Sequence, residues 1–175
     1  MLSDPVDAFW VRSALGYDGK PFQSVTQGAA DLDKIPVAEG NETTEAAPES
    51  AVATLAARFK QTLGDRVNAV RASARLTTSP VCLVAADLAM DRQMEKILSA
   101  HDQLKSRTAP VLELNPTHPL IKALAAKAVA GDSGQAVDDA AVLLLGEARI
   151  LDGEPPDDPV DFSARIGRLI ERGLG

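Results

Sequence analysis

The sequence contains few aromatic residues and only one cysteine. Phe, Tyr and Trp together make up 3% of the 175 residues. A core with so few rings must consist mainly of aliphatic side chains and alanine, which favours packed helices over a large β-sandwich. The single Cys82 cannot form an internal disulfide, and a lone cysteine is typical of proteins from a reducing compartment. We therefore expect a cytoplasmic location.

The sequence also lacks a long hydrophobic run and an excess of positive charge. No segment approaches the ~20 apolar residues of a membrane-spanning helix, and no secretory signal pattern is visible. The formal net charge is -7, whereas nucleic-acid binding requires a basic patch. Arg165, Arg168 and Arg172 recur at helical spacing, which is more typical of a solvated helix face than of a phosphate site. We expect no membrane and no nucleic acid among the partners.

Residues that carry catalysis or bind metals are equally scarce. His101 and His118 have no second ligand at metal spacing, so a structural or solvent-facing role is expected for each. Cys82 has no basic partner nearby in sequence and is interpreted as a small core residue. An acyl- or phosphoryl-transfer enzyme would need a nucleophile–base pair, and a nucleotide site would need a glycine-rich loop; neither is visible. The sequence predicts no enzymatic activity, no metal and no cofactor for this chain.

The spacing of apolar residues predicts an α+β fold with a small three-stranded sheet packed on helices. A helix that opens at residues 48–50 has one apolar face, and Gly64 closes it. Short apolar runs then predict three strands, at residues 67–72, 81–85 and 111–114. Residues 75–79 are expected to connect the first two strands as a hairpin. About two dozen residues separate the second and third strands, which is enough for a crossover between parallel strands.

The last third of the sequence is predicted to be helical. Thr117 is expected to cap a helix that begins at His118, and Asp158 is expected to cap the final helix. Residues 132–135 resemble a capping box for a further helix, which lies between the helix that begins at His118 and the final helix. That middle helix, at residues 136–151, is apolar on more than one face and therefore requires burial on more than one side.

The sequence also predicts a linker and a methionine-bearing helix. Residues 35–48 are rich in Pro, Glu, Thr and Ala, so they are expected to link residues 1–34 to a domain at residues 49–175. Between the second and third strands, Asp87 can cap a helix with an apolar stripe made of Met90, Met94, Ile97 and Leu98. From the pattern alone, packing of this stripe on the sheet is the preferred interpretation. An exposed surface for unfolded chains is the alternative, since methionine is flexible and polarisable.

Several motifs in this order resemble the C-terminal domain of the ninety-kilodalton heat-shock chaperone family, in its bacterial form. They are LTTSP at residues 76–80, MDRQM at 90–94, LELNPTHPL at 112–120 and DPVDF at 158–162. The resemblance covers nearly the whole chain, with residues 37–47 as the main unmatched part. It implies that residues 1–34 end a middle domain and that residues 49–175 form a C-terminal dimerisation domain. It also implies that the chain is a fragment, and that ATP and magnesium bind to a domain preceding Met1.

The resemblance further implies two sites. It places the stripe of Met90, Met94, Ile97 and Leu98 towards unfolded or partly folded client proteins. It also implies a homodimer in which the C-terminal helical hairpins of two copies form a four-helix bundle. Counting apolar faces gives the same interface, with these members: Ala140, Leu144, Leu145, Ala148, Leu151, Phe162, Ile166, Leu169 and Ile170. The alternative is a purely structural dimerisation module without client contact.

Overall fold

The computed structural model describes residue 14 and residues 16–21, 45–86, 108–131 and 134–174. Four helices and a three-stranded sheet make up the described part from residue 45 onwards, which confirms the α+β class. In chain order the elements are α1 (Glu49–Leu63), a 3₁₀ turn (Gly64–Arg66), β1 (Ala69–Ala72), β2 (Val81–Val84), β3 (Val111–Leu114), α2 (Pro119–Val129), α3 (Gln135–Leu151) and α4 (Pro159–Leu174). The predicted domain boundaries stay a prediction, because most of residues 1–48 lie outside the described ranges.

Helix α1 supplies the centre of the core. Its apolar stripe contains the fully buried Leu55 and Phe59, as the sequence predicted. The helix ends at Gly64, whose φ of 56° favours glycine. The guanidinium of Arg66 donates to the carbonyl oxygens of Leu63 and Thr62, both at 3.1 Å, and so satisfies groups that the end of the helix leaves unpaired. Local capping therefore fixes where α1 stops.

The sheet contains the predicted number of strands but not the predicted connections. The strand order is β1-β3-β2, with β1 parallel to β3 and β2 antiparallel to β3. The hairpin expected at residues 75–79 is therefore wrong, and so is the parallel pairing of the second and third strands. Every residue of β3 is buried, so this strand gains most from the central position.

Backbone bonds at one end of β3 show how the chain passes from β1 to β2. The amide of Ser73 donates to the carbonyl oxygen of Leu114, and the amide of Asn115 donates to that of Pro80, both at 2.8 Å. Both edge strands thus extend their pairing with β3 beyond the regular ladder. The segment between them crosses the end of β3 and does not fold back as a hairpin.

The remaining helices complete one aliphatic core. Buried residues of α1, α2, α3 and one face of the sheet form a single cluster that includes Leu112, Ile121 and Leu145. Helix α2 is capped by His118, whose Nδ1 accepts from the amide of Leu120 at 3.2 Å. The predicted cap at Thr117 is wrong, because its hydroxyl donates to the side chain of Asn115 at 2.7 Å. His118 thus has the structural role that the sequence predicted.

The last two helices begin and end largely where expected. Asp158 caps α4, because its carboxylate accepts from the amides of Val160 and Asp161 at 3.0 and 2.9 Å. Helix α3 has Gly134 as its N-cap, without a side-chain bond, and the first half of the predicted capping box lies outside the described residues. None of the described helices combines the length and the apolar character needed to cross a membrane.

Candidate interaction surface

Helix α4 has an apolar stripe that the rest of the described chain leaves uncovered. Its 16 residues are strongly segregated into an apolar and a charged side, yet none of them is buried. Exposure along the stripe is 57% at Ile170 and 84% at Leu174, and Ile166 and Leu169 are exposed as well. A run of large apolar side chains on one helix face is a typical interaction surface.

Helix α3 carries the other predicted interface residues, and the structure divides them between two environments. Leu144, Leu145 and Ala148 are buried in the core of the chain, and Ala140 packs against that core. Leu151, at the end of α3, is exposed. The face of α3 that looked available in the sequence is therefore largely occupied by α1 and the sheet.

Helices α3 and α4 form an antiparallel hairpin that is closest near its turn. Phe162 lies against Gly146, where an added Cβ atom would fall 2.5 Å from the ring. Further from the turn, Arg165 of α4 contacts Asp139 of α3. In the turn, Arg149 pairs with Glu154 at 3.5 Å and also with Asp157. A residue with a Cβ atom at position 146 would collide with the ring of Phe162, so glycine is required for packing within this chain.

Ion pairs hold the charged side of α4 against α3. Asp139 is only 2% exposed, and its Oδ1 accepts from Arg165 and, at 3.2 Å, from the amide group of Gln135. Arg165 also donates to Asp161 at 2.7 Å. This hydrogen bond is the main reason that the pKa of Asp161 is lowered and that of Arg165 is raised. The predicted solvated arginine face is therefore wrong at Arg165, whose partner Asp139 is distant in sequence.

The residue before Asp139 binds the opposite neighbour of α3. Asp138 accepts two bonds from the guanidinium of Arg58 in α1, at 2.8 and 2.7 Å, and one from Thr62 at 2.7 Å. The bond from Arg58 is the largest cause of the lowered pKa of Asp138. Two consecutive acids thus tie α3 to α1 on one side and to α4 on the other.

A second polar cluster lies on the sheet face that turns away from α1. Glu113 of β3 is 5% exposed, and its carboxylate accepts from Arg71 at 3.1 Å, Arg75 at 3.0 Å and Ser73 at 2.9 Å. Burial is the largest single influence on the pKa of Glu113, and it raises that pKa. The hydrogen bonds from Arg75, Ser73 and Arg71, together with the charge of Arg75, outweigh burial, so the pKa of Glu113 is lowered. Every strong donor here is matched to the carboxylate, which is typical of a structural cluster.

Cys82 belongs to this cluster and is not activated by it. Its Sγ lies 3.4 Å from Arg75 Nη2, a basic partner that the sequence did not indicate. Burial nevertheless raises the pKa of the thiol to about 11. A thiol with this pKa is protonated at neutral pH and is a poor nucleophile. The interpretation of Cys82 as a core residue is wrong, because its half-buried side chain lies in this polar cluster and outside the aliphatic core.

Within the described ranges, no three His, Cys, Asp or Glu side chains lie together as a potential metal site. The predicted client stripe (Met90, Met94, Ile97 and Leu98) and His101 lie outside the described residues. The features that the sequence missed, Asp138, Asp139 and Glu113, share one signal. Each is an acidic residue within an otherwise apolar segment.

Comparison with known proteins identifies relatives along the whole chain. The profile of the family described as Hsp90 protein matches residues 1–175. The chain is 52% identical over 176 residues to the Chaperone protein HtpG of Nitrobacter winogradskyi, and 47% identical over 176 residues to that of Paramagnetospirillum magneticum. Each alignment covers 99% of this chain but only 27% or 28% of the relative. The chain therefore spans about a quarter of the length of the curated relatives that it matches.

Proposed function

The chain belongs to the Hsp90 protein family, and we propose that it is the homodimerising C-terminal part of an HtpG-type molecular chaperone. The observation that carries the proposal is the uncovered apolar stripe of α4, a helix with no buried residue. The relatives are named as chaperones, which supports the chaperone class. The dimer itself is inferred from the shape and polarity of the surface.

A second copy is the partner that fits this stripe best. A two-fold interface brings the same patch of each copy together, so an apolar stripe on one chain meets an apolar stripe on the other. Helices α3 and α4 of both copies would then form a four-helix bundle. The exposed Leu151, Ile166, Leu169 and Ile170 would supply the direct contacts. Leu144, Leu145 and Ala148 would support them from within the core. An interface of standard size buries ~1,600 Å² in total.

The dimer is tested by a charge placed on either side of α4. Ile170→Asp puts a carboxylate into the stripe, whereas Ala164→Asp puts one on the opposite, exposed side of the same helix. Sedimentation equilibrium should show a dimer for the unmodified chain and for Ala164→Asp, and a folded monomer for Ile170→Asp. An unmodified chain that stays monomeric at tens of micromolar would refute the proposal.

The proposal includes client binding by the stripe of Met90, Met94, Ile97 and Leu98. Methionine suits a surface that must adapt to many unfolded chains, because its side chain is flexible and polarisable. In the whole protein, Met90→Ser combined with Met94→Ser should weaken binding of an unfolded model client, whereas Gln93→Ser should not. If both variants bind the client as the parent does, the stripe has no part in client binding.

We assign the activity of an ATP-dependent chaperone to the whole protein and not to this chain. ATP and magnesium would bind in another part of the protein, and this chain would contribute no catalytic residue. A calorimetric titration of the chain with ATP should therefore give no heat of binding. The single reduced Cys82 supports a cytoplasmic location for the chaperone. Micromolar affinity of this chain for ATP would contradict the assignment of ATP binding to another part of the protein.

A further inference from the structure

We propose that the ion pair between the buried Asp139 and the half-buried Arg165 fixes the rotation of α4 on α3 before association, so that both act as positioning residues for the interface. This inference rests on the proposed dimerisation, because it concerns how the apolar stripe is presented to the second copy. The juxtaposition that carries it is a nearly inaccessible carboxylate on α3 facing an arginine on a helix that has no buried residue.

Two contacts at different angles define the rotation of a helix about its axis. Phe162 lies against Gly146, and Arg165, three residues later, binds Asp139. At 100° per residue, these two side chains leave α4 about 60° apart. With both in place, Ile170 lies about 80° from Phe162, on the side away from Arg165, and is directed outwards, in agreement with its exposure of 57%. With Phe162 alone, α4 could turn about its axis and carry the stripe away from the position that a symmetric partner requires.

The pair also resists undocking of α4. A buried carboxylate is costly when unpaired, so removing one partner of a buried ion pair is strongly destabilising. Asp139 would lose Arg165 if α4 moved away. Among the described residues, Gln135 and, at 3.9 Å, Arg168 are the other groups near the same oxygen. A helix held in its bound orientation loses less conformational freedom on association, which raises affinity.

Asp138 offers a control on the same helix. It carries the same carboxylate one residue earlier, but its hydrogen bonds come from Arg58 and Thr62 of α1 and not from α4. Asp138→Asn and Asp139→Asn therefore make the same chemical change in α3. Only the second change removes a hydrogen bond to α4.

The first measurement is the dissociation constant of the dimer, obtained by sedimentation equilibrium on the whole 175-residue chain. Asp139→Asn should raise it on the order of tenfold or more, because α4 must then be ordered on association, and a two-fold dimer contains the change twice. Asp138→Asn should change it by less than about twofold, because the partners of Asp138 lie on α1 and a partly exposed ion pair contributes little. Equal dissociation constants for the parent and Asp139→Asn would overturn the inference.

The second measurement does not require a dimer. In the monomeric Ile170→Asp background, amide hydrogen exchange of residues 162–174 should be slow with Asp139 present and faster in Asp139→Asn. Exchange in α1 should stay unchanged. A purely structural effect would speed exchange in α1 and α4 alike and would overturn the inference. If Asp139→Asn fails to fold, Arg165→Met makes the test from the side of α4, and unchanged exchange there would also overturn it.

The two measurements separate this inference from the proposed function. A parent chain that never dimerises refutes the proposed dimer, while hydrogen exchange still reports whether the pair orders α4. A parent chain that dimerises normally, with α4 equally protected in Asp139→Asn, refutes the positioning role alone.

Discussion

Leu144→Ala and Ile170→Ala should separate folding from association, because the two side chains occupy different environments. Leu144 is 4% exposed in the core, whereas Ile170 is 57% exposed on α4. Leu144→Ala removes three buried carbon atoms, at ~0.8 kcal/mol each, and leaves a cavity that adds to the cost. We therefore expect the free energy of unfolding to fall by about 3 kcal/mol, within the range observed for buried leucines.

The effect of Ile170→Ala should appear in association. Full burial of an isoleucine side chain contributes ~1.5–3 kcal/mol, and a partner could cover at most the exposed 57%. That fraction is about 1.3 kcal/mol per copy, and a symmetric dimer contains the residue twice, so about 2.5 kcal/mol is available. Alanine keeps part of this area. We expect a loss of about 2 kcal/mol, which is ~30-fold in the dissociation constant.

Urea unfolding at several protein concentrations, combined with sedimentation, distinguishes the two variants. Leu144→Ala should lower the unfolding midpoint at every concentration. Ile170→Ala should leave the unfolding of the diluted monomer within about 0.5 kcal/mol of the parent and should weaken only the dimer. A monomer destabilised by about 2 kcal/mol in Ile170→Ala would refute this expectation, because the stripe would then pack within its own chain. An unchanged dissociation constant would refute it equally.

Three further predictions concern the polar groups. The pKa of Glu113 is lowered in the folded chain, so the stability that this carboxylate contributes is present above pH 4.5. That stability is lost as the pH falls through the pKa of Glu113 in the folded chain. In urea titrations below pH 4.5, Glu113→Gln should therefore lose less free energy of unfolding on acidification than the parent. Cys82, whose pKa is raised from 9.0 to about 11, should be alkylated at pH 8 about a hundredfold more slowly in the folded chain than in urea. Equal rates would contradict its protonated state. Asp158→Ala should destabilise the N-terminus of α4 by about 1 kcal/mol, because the cap is lost. Amide hydrogen exchange should then be faster at Val160 and Asp161 only.

Features set by neighbouring residues could be predicted from the sequence. The stripe of α1 and its stop at Gly64 depend on helical spacing and on one left-handed position, and both are visible in the order of residues. The cap at Asp158 is equally local. The cap at Thr117 failed for a local reason too. Asn115, two residues earlier, captures the Thr117 hydroxyl and leaves His118 to cap α2.

Features that depend on distant residues could not be predicted. The parallel pairing of β1 with β3 joins residues about 40 positions apart, and no spacing in the sequence indicates it. The partners Arg165 and Asp139 are 26 positions apart, so the arginine looked solvated when its own helix was considered alone. Glu113 gave a usable signal, because a charge inside a buried strand requires partners. Which arginines supply them depends on the strand order.

The division of α3 between two environments limits which of the predicted interface residues a second copy could contact directly. Helix α3 is apolar on more than one face, unlike an ordinary surface helix. The sequence therefore suggested that its additional apolar face contacts a second copy. The core takes Leu144 and Leu145, and Phe162 takes Gly146, so little of α3 remains for a partner. The uncovered surface belongs mainly to α4, whose contacts with α3 include the ring of Phe162 and the pairing of Arg165 with Asp139.

A 16-residue helix held this way is marginal by itself, since isolated helices of about that length are barely stable in water. Burial of its apolar stripe against a second copy would therefore stabilise α4 and also hold the two copies together. The core around Phe59 and Leu112 is complete without α4, so it should remain folded when the dimer separates. Dilution should thus loosen α4 first and leave the sheet intact, because the two depend on different apolar contacts.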